Sequence, residues 1–237
     1  MSAVPNWLLL GGVALVLVAA QLIIVAKHPE PGDDEPDVEH KPRYAGLMRP
    51  AVIVLLGLLA FVLCLPIAGL PAALRPAWVV WAAAGLVLAW VDARTTWLPI
   101  RATRFTAICL AAALATGVIV DPRWWPSAVL RTMIGAGVAW ALFWVLWRLS
   151  NSLGFGDVRL AGLMGGLTAM GSAQWWFLGV FGGSLAAACW GLGTVLWRRH
   201  HPSPLGRAFP YGPGLWLGPW LAWVWLAAGG VVPMTPD

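Results

Sequence analysis

The stretch Gly154-Phe155-Gly156-Asp157-Val158-Arg159-Leu160 sets a carboxylate between two glycines and the start of an apolar run. In a soluble domain that aspartate would be an ordinary helix cap. The surrounding chain is of another kind: 60% of it is hydrophobic and 11% charged, against about 25% charged in typical soluble domains. Apolar runs near twenty residues recur along it, and each can cross the ~30 Å hydrocarbon core as a helix. The fold class is therefore all-α, a polytopic integral membrane helical bundle. In such a chain an ionisable group beside a span is a functional hypothesis by default.

Outward from Asp157, the runs fall at 7–26, 50–70, 77–92, 102–120, 127–148, 158–173, 174–197 and 212–232. They predict about eight transmembrane helices. The run at 158–173 is short and glycine-rich, so seven spans with one re-entrant piece is the alternative. Between the first two runs the composition flips to Glu30, Asp33, Asp34, Glu35, Asp37 and Glu39 among prolines, with His28 and His40. Such a segment buries too little apolar surface to fold alone. The reading is a first transmembrane helix over 1–27, an acidic, flexible cytoplasmic loop over 28–47, and a membrane-embedded domain over 48–237.

No Lys or Arg precedes the first run, unlike the basic start of a secretory signal. It is read as a retained helix with its N-terminus outside. The cytoplasmic segments then hold Lys27, Lys41, Arg43, Arg49, Arg94, Arg101, Arg104, Arg148, Arg159, Arg198, Arg199 and Arg207, leaving Arg75, Arg123 and Arg131 outside. This asymmetry follows the positive-inside rule. The net charge of +5 thus points to the membrane and not to nucleic acid.

Most polar and aromatic signals read as structure. Cys64, Cys109 and Cys189 lie singly in apolar runs, outside any paired-ligand spacing. Trp97, Trp124, Trp125, Trp147, Trp175, Trp176, Trp197 and Trp216 fall near helix ends and are assigned to headgroup anchoring. Gly162 with Gly166, and Gly179 with Gly183, have the spacing that lets helices approach closely. Ser184 reads as a packing serine, and His200-His201 beside Arg198-Arg199 as a solvated basic loop. No metal site and no cofactor are expected.

The acids decide the chemistry. Six of the ten lie in the 30–39 loop, Asp237 is the last residue, and Asp121 adjoins Pro122 on the outer side. Asp92 and Asp157 remain, both at the cytoplasmic ends of apolar runs. A helix cap accounts well for Asp157 but poorly for Asp92, which follows its own run, where the helix dipole disfavours an anion. Asp92 also stands seven positions before Pro99, which should break or redirect the helix. Gly154 and Gly156 permit close backbone approach. Phe209-Pro210-Tyr211-Gly212-Pro213 makes a third irregular entry on the same face. Irregular backbone at membrane depth is tolerated where it is buried in protein or lines a cavity, so the three entries suggest a shared cleft.

These elements, in this order, resemble the type IV prepilin peptidase family of membrane-embedded G-x-G-D aspartyl proteases. The resemblance covers roughly 48–232 and rests on Asp92 with Leu98-Pro99, on Gly154 to Leu160, and on Phe209 to Pro213. It implies a catalytic pair, Asp92 and Asp157, sharing a proton and activating water. Gly154, Gly156, Arg159, Pro99, Pro210, Gly212 and Pro213 are expected to support the cleft or motif. It also implies prepilin or pseudopilin substrates with a basic leader in the cytoplasm and an apolar helix in the membrane. Arg159 stands where the family commonly has Lys. The 28–47 loop lacks the paired cysteines that many longer members carry in a segment linked to N-methylation, so peptidase activity alone is expected.

Two other classes compete. A catalytically inactive relative could act as a membrane assembly scaffold, although both acids and both glycines are present. A cation or proton transporter could use the same aspartates, but its ionisable groups belong near the midplane between repeats. A zinc protease is excluded because no H-E-x-x-H occurs.

Overall fold

The computed structural model describes residues 6–30, 42–123, 127–150, 153–198 and 209–229. Among them eight helices follow the apolar runs: α1 Asn6–Ala26, α2 Pro50–Ile67, α3 Arg75–Thr95, α4 Ile100–Val120, α5 Ser127–Leu149, α6 Phe155–Gly171, α7 Ala173–Arg198 and α8 Gly212–Ala228. A 3₁₀ turn at Tyr44–Leu47 precedes α2. The structure is all-helical, and α1 to α5 and α7 are long and apolar enough to cross a membrane. Helices α6 and α8 each have 17 residues, just under a full span by length. The expected eight spans are thus eight helices, six of them of spanning length and composition. Most of the acidic stretch, 31–41, lies outside the described residues, as do Trp124, Trp125, Arg199, His200, His201 and Arg207.

Helix α3 is the axis of the bundle. Its spanning window is 83% buried, whereas the other five candidate spans are 17–33% buried and turn apolar side chains outward, as lipid-facing helices do. Its middle is Ala82-Ala83-Ala84-Gly85, whose small side chains let α1, α2, α4 and α8 pack against it. At Trp81–Gly85 the helix widens into a π-type turn. There the Trp81 indole N–H donates to Trp216 O and the Trp216 indole donates to Trp81 O, both at 3.1 Å. This reciprocal tie joins α3 to α8 and satisfies two indole donors inside the bundle.

The remaining helices pack through glycine. A Cβ at Gly165 of α6 would strike Ala139 Cβ and Gly135 O of α5, and one at Gly218 of α8 would strike Gly179 O of α7. Gly179 also lies against Thr168, and Gly183 against Met164 and Gly218, so the small-residue spacing does mark helix contacts. The Ser184 hydroxyl donates to Val180 O at 2.7 Å within its own helix.

The tryptophans correct the anchoring assignment. Trp175 is buried against Trp78, ring centroids 5.1 Å apart, and its indole donates to Pro219 O at 3.4 Å. Trp176 donates to Gly135 O at 2.9 Å, and Trp216 is the α3–α8 tie. Trp197 is exposed. An indole offers a large apolar body and a single donor, and in this chain several of those donors find helix carbonyls inside the bundle.

Candidate active site

Helix α3 delivers Asp92 to one end of the bundle, and Thr95 and Thr96 stop the helix there. The Thr95 hydroxyl donates to Val91 O at 2.8 Å and accepts the Trp97 N–H at 3.1 Å. Thr96 adopts φ 58°, and its N–H bonds to Asp92 O at 2.7 Å. The break therefore comes from a left-handed threonine, before Pro99. Pro99 instead opens α4, its carbonyl accepting the Thr103 N–H at 3.0 Å. A proline costs little at a helix start because the first N–H groups lack intrahelical partners.

The Asp92 side chain is 2% exposed. Its Oδ2 accepts the N–H of Gly212 at 2.7 Å, across 120 positions of sequence. Gly212 is the first residue of α8, and Pro213 follows at the second position. Asp92 thus sits unfavourably at the end of its own helix and favourably at the beginning of another, where an anion meets orphan donors and the positive end of the dipole. A Cβ on Gly212 would lie 2.8 Å from both Asp92 Cβ and Oδ2, so only glycine brings the two backbones this close. Pro210 is buried just before this entry.

Asp157 occupies the first turn of α6 and is 6% exposed. Its Oδ2 accepts the Gly154 N–H at 3.0 Å, closing the turn that starts the helix. Its Oδ1 is buried without a hydrogen-bond partner. The two glycines of the motif do different things. A Cβ on Gly156 would lie 2.8 Å from Leu98 Cβ, so Gly156 is where the α3–α4 connection crosses α6. Gly154 has φ −80° and ψ 151°, and a Cβ there would meet Asp157 Oδ2 at an ordinary 3.4 Å. Its contribution is its N–H.

Asp92 and Asp157 lie close enough that each carboxylate acts on the other's charge. Two sequence elements 65 positions apart therefore meet, each carrying a buried acid held by the N–H of a glycine. Arg159 lies one residue beyond Val158 on α6, and its Nη2 donates to Leu98 O at 3.4 Å. The last carbonyl before Pro99 is thereby tied to the motif.

Tyr44, which sequence reasoning passed over, and His28, read there only as part of the polar loop, stand at the rim. Tyr44 is 3% exposed and acts on the charge of Arg159, and the His28 ring packs against it with centroids 5.8 Å apart. Burial, then Arg101, lower the His28 imidazole below its ordinary range; Glu30 opposes them, and Arg159 adds to the lowering. Leu98 was read as motif, and its role as the surface met by Gly156 is a packing fact that only the tertiary structure contains.

Residues 78–192, which hold Asp92, Pro99 and the whole of Gly154 to Leu160, match the type IV leader peptidase family. The prepilin leader peptidase/N-methyltransferase of Aeromonas salmonicida (strain A449) is 33% identical over 104 residues, covering 42% of this chain and 33% of that protein. The protein of the same description from Aeromonas hydrophila matches to the same extent. The chain thus matches about a third of the length of these curated relatives. No solved structure is a significant match.

Proposed function

We propose that this chain is a membrane aspartic endopeptidase that removes the leader peptide from type IV prepilin-like proteins at the cytoplasmic face of the membrane. The reading rests above all on one observation: two buried carboxylates from different helices, Asp92 and Asp157, within electrostatic reach of each other at one end of the bundle. The family match of segment 78–192 and the names of the Aeromonas relatives support the substrate class, prepilins or pseudopilins. The distribution of Lys and Arg supports a cytoplasmic site and an outside N-terminus.

In this mechanism the two aspartates hold one proton between them, because two adjacent anions are costly in a low dielectric. The ionised carboxylate removes a proton from water, whose oxygen attacks the scissile carbonyl. The protonated carboxyl donates to the carbonyl oxygen as it becomes tetrahedral. Collapse breaks the C–N bond, and the proton taken from water passes to the leaving amine. Each acid keeps one oxygen on a backbone N–H, Gly212 for Asp92 and Gly154 for Asp157, which fixes the orientation of both. The unpaired Asp157 Oδ1 is the oxygen we assign to the water or the shared proton. The reaction uses no metal and no organic cofactor.

Peptidase activity alone is proposed. The relatives are named for N-methyl transfer as well, but their alignments cover only 33% of their length, and the 28–47 segment here has no cysteine. The test is the purified chain in proteoliposomes with a prepilin bearing a basic leader. Mass spectrometry should find the leader released intact at the boundary of the apolar helix and no methyl group gained with S-adenosylmethionine. An uncut substrate from several prepilins would overturn the peptidase reading, and a methylated product would overturn its restriction.

A further inference from the structure

A cavity of about 520 Å³ opens between α4, α5 and α6. Its walls come from Ile100, Ala107, Gly137, Trp140 and Leu163, and its head from Arg104 and Arg159. Ile100 and Trp140 are exposed on the outer surface of the bundle. Arg104 and Arg159 lie near the starts of α4 and α6, so both cations stand at one end of an otherwise apolar groove.

The head is built for negative charge. Arg104 and Arg159 are near enough to oppose each other's charge. Arg159 is held by Nε to Phe155 O at 3.5 Å and by Nη2 to Leu98 O at 3.4 Å, while its buried Nη1 has no hydrogen-bond partner. A guanidinium fixed this way presents its remaining donors in a set direction, which suits phosphate oxygens.

A helix with its side chains is about 10–12 Å across, and a span about 30 Å long would occupy several times the cavity's volume. An acyl chain is thin enough to lie in it. We infer that this groove binds one anionic glycerophospholipid, its phosphate between Arg104 and Arg159 and one acyl chain along Ala107, Gly137 and Trp140. Arg159 is two residues from Asp157, so the bound headgroup would form part of the wall beside the two acids. The inference does not depend on the peptidase reading, because it concerns binding alone.

The test is native mass spectrometry of the full chain in neutral detergent, titrated with phosphatidylglycerol or phosphatidylcholine of the same acyl chains. Phosphatidylglycerol should form a single retained adduct at several-fold lower concentration than phosphatidylcholine. Arg104→Gln should remove most of that preference and Arg104→Lys should restore much of it. Gly137→Phe should weaken both lipids together, since a side chain at Gly137 meets nothing within 4 Å and would project into the groove. Thermal melting of each variant checks folding; if Gly137→Phe is unstable, Ala107→Leu replaces it. Equal retention of both lipids by the parent chain would overturn the proposal. So would an anionic preference that survives both Arg104→Gln and the groove-filling variant. Displacement of the adduct by a peptide of a prepilin's apolar helix, with no effect of soluble glycerol phosphate, would assign the groove to substrate and likewise overturn it.

Discussion

The carboxylate of Asp92 and the amide of Gly212 are joined at 2.7 Å, and no side chain fits between them. That bond carries an acid from the end of α3 to the beginning of α8. Gly212→Ala should therefore push Asp92 out of position. The expected outcome is a loss of about 1–3 kcal/mol in stability, the range for an overpacked core, together with loss of processing. Melting and processing assays check it; a variant that melts and cuts like the parent would show that the close approach is unimportant.

The two glycines of the motif should separate under mutation. Gly156→Ala places a methyl group against Leu98 Cβ and should impair activity, with partial recovery in Gly156→Ala/Leu98→Gly because the second change removes the atom it would strike. Gly154→Ala keeps the N–H that Asp157 accepts and should retain most activity, whereas Gly154→Pro removes the donor and should not. Initial rates on one substrate decide the matter. Equal loss in both alanine variants would contradict this division of roles.

The Trp81–Trp216 tie should couple energetically. Replacing either indole with Phe leaves a carbonyl without its donor and should cost about 1 kcal/mol, the usual scale for a hydrogen bond between membrane helices. The double variant should cost less than the sum of the two. Unfolding in mixed micelles measures all three, and strict additivity would show that the two bonds are independent.

His28 gives a pH dependence with a definite sign. Its folded value lies below the ordinary imidazole value of 6.5, chiefly through burial and then Arg101, with Glu30 opposing. The unfolded chain then binds the proton more readily, so stability is full above about pH 6.5 and falls as pH drops toward the folded value. His28→Gln should remove this acid-side loss. Melting temperatures of both proteins from pH 8 to 5 test it, and parallel curves would contradict it.

Much of this architecture was legible in the sequence because membrane helices must satisfy their backbone within one segment. Runs of apolar residues therefore marked the eight helices, and the scarcity of acids singled out Asp92 and Asp157. What was not legible depends on partners distant in sequence. A tryptophan near a helix end looks the same whether it faces headgroups or, like Trp175, a neighbouring Trp78. Gln21 of α1 is buried and donates to Ala102 O at 3.1 Å, which nothing in its own apolar run announces. Asp92 seemed ill-placed at a helix end because its stabilising dipole belongs to α8. Pro99 drew attention as the breaker, while the left-handed turn fell on Thr96, a residue type with no preference for it.

The central claim is that Asp92 and Asp157 act as one catalytic unit. The most direct measurement compares processing of one prepilin by the parent chain, Asp92→Asn, Asp157→Asn and the double variant, all at matched membrane levels. Asn keeps the shape of Asp but cannot carry the shared proton. Each single variant should lose at least about 100-fold in rate, the lower range for general acid–base catalysis, and the double variant should lose little more. Either single variant cutting at the parent rate would contradict the account and leave that aspartate a helix cap.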